Sequence, residues 1–192
     1  MTNLIIIGLI VLVIIYGIVM YNSLVTARTH TQESWSQIDV QLKRRNDLIP
    51  NLVNTVKGYA THEKSTLAKV VELRNQLVDQ TNVANPTQDQ QAQMMKTSNQ
   101  ISDSLKSIFA LSESYPDLKA NQEFSKLMEE LTNTENKIAY SRQLFNSTVA
   151  TYNIKIQSFP SNLVAKMGGF KEATYLQVPT EETKAPNVTF DK

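Results

Sequence analysis

The 192 residues include no cysteine, five glycines, two histidines and one tryptophan. Without cysteine the chain has no disulfide, no thiolate nucleophile and no thiolate-held metal, and the redox compartment stays open. The glycines are scattered, and the one adjacent pair, Gly168-Gly169, follows a helical stretch where a phosphate-cradling loop would have to open one. Nucleotide binding therefore has no support. The sequence His62-Glu63 starts like a zinc-protease helix, but that pattern needs a second histidine four residues after the first, and position 66 is Thr66. His30 is too far along the chain to share a metal with His62. Neither histidine sits in a turn that would present it as base to a serine, so a Ser-centred triad is not nominated. Charge is nearly balanced, with 19 basic and 18 acidic side chains, which gives no broad field for nucleic acid. These absences predict a non-enzymatic chain with no catalytic, cofactor-binding or metal-ligating residues.

What the chain does have is one uncharged apolar run, LIIIGLIVLVIIYGIVM, from Leu4 to Met20. Seventeen residues of helix cover about 25 Å, close to the ~30 Å of a hydrocarbon core once Tyr21 is counted. A cleaved secretory signal needs a basic start and a small-residue cleavage site, whereas only Met1, Thr2 and Asn3 precede this run and Tyr-Asn-Ser-Leu follows it. Residues 4–21 therefore read as a retained single-pass transmembrane helix that meets the lipid bilayer, behind a short N-terminal segment, 1–3. Arg28, Lys43, Arg44 and Arg45 all lie after the span and no lysine or arginine lies before it. The positive-inside rule then places the N-terminus outside and the remainder in the cytoplasm, at the cell (inner) membrane.

The remaining residues suffice for one domain, and their apolar pattern is helical. Trp35, Leu42, Ile49 and Val56 recur every seventh position, with Ile38, Leu52 and Tyr59 three after members of that series and Arg45 at the missing inner position. Pro50 interrupts the helical hydrogen bonding but not the phase. Either the helix bends there, or Asp47 caps a new helix that carries Pro50 in its first turn. Thr87 and Gln90 predict a capping box that opens a helix carrying Met94, Ile101, Leu105 and Ile108. Phe124, Leu131, Ile138, Phe145, Tyr152 and Phe159 are again seven apart and predict a last long helix over about 121–159. Two long helices and a shorter hairpin, about 60–83 and 87–113, make an all-α fold: an N-terminal transmembrane helix followed by an antiparallel up-down bundle of three or four helices over 22–170. Residues 171–192, with few apolar side chains, are expected to form a flexible tail.

Charged residues on the inward stripes must pair or reach water. Arg45, Glu135 and Arg142, with Asp39 or Asp47, are therefore expected to form a structural polar network that sets register between helices, or else to line a site for a small ligand or peptide. The aromatic residues Trp35, Tyr59, Phe124, Phe145, Tyr152 and Phe159 exceed what a thin bundle hides, so Trp35, Tyr59, Phe145 and Tyr152 are expected at a protein interface.

Two long blocks add what periodicity does not. WSQIDVQLKRRNDLIPNLVNTVKGYATHE, Trp35 to Glu63, and ENKIAYSRQLFNSTVATYNIKIQSFPSNLVAKMGGF, Glu135 to Phe170, resemble in order the two blocks of the LemA family of bacterial membrane proteins. The resemblance implies a helical domain on one membrane span. It assigns no catalytic residue, and it places Arg45, Asp47, Pro50, Tyr59, Glu135, Arg142, Asn146, Tyr152 and Asn153 within the family's motifs. Phe145 departs from them, since the family usually has tyrosine there. The expected role is that of a membrane-anchored scaffold or adaptor, with a second copy or a membrane-proximal protein as partner and no nucleic acid. The alternative is a tethered sensor with its ligand between the helices.

Overall fold

The computed structural model describes residues 1–59 and 63–177. Among the described residues there are helices and no strands: α1 (Thr2–Lys57), α2 (Lys64–Thr81), α3 (Gln88–Leu111), α4 (Pro116–Lys119), α5 (Gln122–Gln157) and α6 (Ser161–Met167). The fold is all-α, as the periodicity requires. His62 and positions 178–192, which hold most of the expected tail, lie outside the described residues. The chain divides into two compact units.

The first unit comprises residues 1–40 and 137–175. Its first helix is long and apolar enough to cross a membrane, and its most apolar stretch has no buried residue. That fits a membrane protein. The helix does not stop at the end of the apolar run: α1 is 56 residues long, so the expected boundary at residue 21 falls inside an unbroken helix. Past Tyr21 the helix becomes one-sided. Leu24, Ala27, Trp35 and Ile38 are buried on α1, and Ile138, Phe145, Val149 and Tyr152 on α5. The Trp35 and Phe145 rings meet edge to face at 5.9 Å, and Lys155 Nζ donates to Ser23 Oγ at 2.8 Å. A partner pair that moves forward along α5 as it moves back along α1 means that the two helices run antiparallel. Beyond α6, the Asn153 amide holds the backbone of Ala173 from both sides, accepting from its N–H at 2.9 Å and donating to its carbonyl at 2.8 Å. Ordered contacts thus reach three residues past the expected end of the bundle at 170.

Among the described residues, the second unit comprises 41–59, 63–136 and 176–177. Here the later part of α1 and the first part of α5 are joined by the hairpin of α2 and α3, so four helical stretches share a core. Leu42, Ile49, Leu52, Val56, Leu67, Val70, Leu73, Leu77, Met94, Ile101, Leu105, Ile108, Phe124 and Leu131 are all buried. The capping box at α3 is present, with Gln90 N–H bound to Thr87 Oγ1 and the Gln90 side chain returned to the Thr87 N–H. Two orphan donors of the first turn are satisfied in this way.

Of the two sequence readings at Pro50, the new helix capped by Asp47 is not what forms: one helix, α1, continues through Pro50. Proline brings no N–H for the carbonyl four residues back, which is that of Asn46. Arg74 of α2 supplies a substitute, its Nε donating to Asn46 O at 3.3 Å. A side chain from the neighbouring helix thus occupies the acceptor that the helix's own backbone leaves open.

Candidate functional site

The most unusual feature of the second unit is a fully buried guanidinium. Arg45 occupies the inner heptad position between Leu42 and Ile49, and its side chain has no exposed surface. A buried cation is tolerated only if its N–H groups find acceptors and a counter-charge. Nη1 donates to Glu135 Oε2 at 2.8 Å and to Ser102 Oγ at 3.0 Å, and Nη2 donates to Ser98 Oγ at 2.6 Å and to Ser98 O at 3.2 Å. Ser102 in turn donates to the other carboxylate oxygen, Glu135 Oε1, at 2.6 Å. Three helices, α1, α3 and α5, are tied through one side chain. The arrangement is electrostatically asymmetric, since Glu135 keeps 39 % of its side chain in solvent while Arg45 keeps none.

Chemically the cluster is spent. Both terminal nitrogens of Arg45 are engaged by protein oxygens, and an incoming anion would have to displace Glu135 or the two serines. Among the described residues no group of histidines and carboxylates could hold a metal; His30 is exposed and paired locally, its Nδ1 lying 3.0 Å from Glu33 Oε2.

The remaining residues of the expected network fall elsewhere. Asp47 is exposed, because two residues of helix turn it about 200° from Arg45. Asp39 and Arg142 belong to the first unit, where Arg142 is buried at 4 % exposure. The expectation of a surface interface of aromatics needs correction. Trp35, Phe145 and Tyr152 are 5 %, 2 % and 4 % exposed, and of that set only Tyr59 stands out, at 39 %. A bundle of two long helices hides large rings when they interdigitate edge to face, as Trp35 and Phe145 do. Tyr59 instead accepts a hydrogen bond from Asn121 Nδ2 at 3.0 Å. Burial pushes the Tyr152 phenol up from its ordinary value, and the positive charge of Arg28 works against that rise.

Sequence reading missed Ser98 and Ser102. A signal was available. Ser98 is four after Met94 and three before Ile101, and therefore on the inward face of α3, with Ser102 one turn on. A serine pair on one helix facing an inward arginine on another is what a buried guanidinium requires.

Comparison with known proteins agrees with the motif resemblance. The model of the LemA family matches residues 34–190. The chain is 28 % identical over 176 residues to "Magnetosome protein MamQ 2" of Paramagnetospirillum magneticum, covering 82 % of this chain and 64 % of that protein. It is 26 % identical over 174 residues to "Magnetosome protein MamQ" of Magnetospirillum gryphiswaldense, covering 81 % and 64 %. It is 27 % identical over 150 residues to "Protein LemA" of Metamycoplasma hominis, covering 76 % and 63 %. The chain thus spans somewhat under two-thirds of the length of these relatives.

Proposed function

The chain belongs to the LemA family, and on that premise we propose that it is a non-enzymatic, membrane-anchored helical scaffold. It works by associating with copies of itself or with a membrane-proximal protein at the bacterial inner membrane. The observation that carries this reading is the continuity of α1: the apolar run and the packed residues Leu24, Ala27, Trp35 and Ile38 share one unbroken helix. Within the first unit no break in the helix separates the bilayer segment from these packed residues. Copies held in one membrane plane by such helices face each other at raised effective concentration and in restricted orientations, which favours assembly through weak contacts. The packed part offers apolar side chains for such contacts, with Val40 59 % and Tyr140 68 % exposed.

The polar cluster supports the same reading over a sensor. Arg45 gives its terminal N–H groups to Glu135, Ser98 and Ser102, a set that fixes three helices and keeps no charge in reserve for a ligand. The basic residues after the span, Arg28, Lys43 and Arg44, favour a cytoplasmic bundle with the N-terminus outside.

In-cell photocrosslinking tests the proposal, with a benzophenone side chain placed in turn at Lys43, Thr66 and Lys126. Ladders made only of this chain establish self-assembly, and adducts with one foreign protein establish an adaptor. A lack of adducts at all three sites, with normal expression in the membrane fraction, overturns the scaffold reading.

A further inference from the structure

The first unit leaves a set of apolar side chains uncovered at one end. Phe159 is 81 % exposed, Leu163 54 %, Met167 90 % and Ile154 62 %. Leu163 and Met167 are four apart on α6 and share a face, and Phe159 lies in the turn just before it. A short helix whose two largest apolar residues are both uncovered needs an occupant for that face.

The contacts of the same unit say what lies beside it. Phe145 of α5 meets Trp35, and ten residues further along α5 Lys155 reaches Ser23. Continued at the same rise, the register brings Gln157 about level with Tyr21. After α6 the chain is still at that level, because the Phe170 ring packs edge-on against Tyr21 at 5.5 Å. A Cβ added at Gly168 would also lie 3.2 Å from the Tyr21 ring. The stretch from Phe159 to Met167 is therefore bracketed by contacts to residues 21 and 23, immediately beyond Met20, where the apolar run ends. Lys166 and Lys171 are exposed on either side of this end of the stretch, and their long stems allow the amines to reach lipid headgroups while apolar neighbours sit deeper.

We propose that α6 and Phe159 form a second membrane-contacting element, which seats Phe159, Leu163 and Met167 in the headgroup boundary of the bilayer that the chain's own span crosses. The occupant of the exposed face is lipid, because the face is continuous in level with the apolar run. The first unit is then held to the membrane at two points, the span and the α6 wedge. The proposal rests on the reading that residues 4–21 cross a bilayer.

The absence of cysteine makes the test direct. Single-cysteine variants of the full chain at Leu163, Met167, Lys137 and Val13 are spin-labelled in nanodiscs of phosphatidylcholine and phosphatidylglycerol. Collision rates are then compared for oxygen, which concentrates in lipid, and for a water-soluble nickel chelate. Leu163 and Met167 are exposed, so the labelled variants are expected to unfold at the parent temperature. The expected result is nickel accessibility several-fold lower at 163 and 167 than at 137, with high oxygen accessibility at 163, 167 and 13. Nickel accessibility at 163 and 167 equal to that at 137 overturns the proposal, and so does protection from both reagents, which would mean a protein contact. Val13 separates the two readings. A water-exposed label there removes the span itself, whereas a lipid-exposed Val13 beside water-exposed 163 and 167 removes only the α6 element.

Discussion

Arg74 Nε donates to the Asn46 carbonyl at 3.3 Å, at the one place in α1 where the residue four positions on, Pro50, has no N–H to give. The pair explains how a proline persists inside a helix whose inner residues on both sides, Ile49 and Leu52, are fully buried. If Arg74 replaces the missing backbone donor, its value depends on the proline. Arg74→Met is expected to cost about 1 kcal/mol in the parent chain. Beside Pro50→Ala it is expected to cost less than half of that, because the backbone N–H restored by the substitution takes the same acceptor. A double-mutant cycle by urea unfolding in detergent reads the difference. Equal costs in the two backgrounds would mean that Arg74 contributes through packing alone.

The Arg45 cluster makes a different demand, because its counter-charge is partly wet and its cation is not. Glu135→Leu removes the carboxylate that Arg45 Nη1 meets at 2.8 Å and leaves the guanidinium buried. It is expected to cost roughly 3 kcal/mol, the low end for breaking a buried pair because Glu135 still sees solvent. Glu135→Gln keeps an acceptor in place and is expected to cost about 1 kcal/mol. Arg45→Met with Glu135→Gln removes the buried charge together with its partner and is expected to be milder than Glu135→Leu alone. Unfolding midpoints by circular dichroism order the three variants. If Glu135→Leu were the mildest of the three, the pair would not be holding α1 to α5.

Much of this arrangement was legible in the chain, and the reasons differ by residue. Heptad spacing alone identifies the inward series Leu42, Ile49, Val56 and Phe124, Leu131, Ile138, because burial of one face is what the period records. It also puts Arg45 inside. Periodicity gives the angle of a side chain about its own helix, however, and not its neighbour on the next one. By sequence Asp47 looks as available to Arg45 as Glu135 does, until helix geometry turns it outward. Ser98 and Ser102 escape notice because small polar residues carry little weight in an apolar pattern. The aromatic residues mislead for a related reason: their number suggests an overfull core, but edge-to-face packing of Trp35 on Phe145 gives two large rings one shared space. The Phe159 position is the reverse case. It continues the heptad series, yet α5 has ended at Gln157 and the rest of the chain leaves the ring uncovered.

Tyr152 supplies a pH dependence whose sign can be worked out. Its ring is buried at 4 % exposure, and that burial holds the phenol above the usual value of about 10, with Arg28 pulling the other way. The unfolded chain then releases this proton at lower pH than the folded chain does. Below about pH 10 both states keep the proton and the contribution is fully present. As pH rises through the folded value the unfolded state is increasingly favoured and the contribution is lost. Tyr152→Phe cannot release a proton in either state, so its melting temperature is expected to fall less steeply than that of the parent as pH rises above about 10. The six other tyrosines are common to both chains, and the difference between the two curves isolates Tyr152. Arg28→Gln removes the opposing charge, moves the folded value further up and is expected to extend the loss to higher pH. Parallel curves for Tyr152→Phe and the parent would mean that the phenol ionises as easily inside the bundle as in the unfolded chain, and that its burial does not persist in solution.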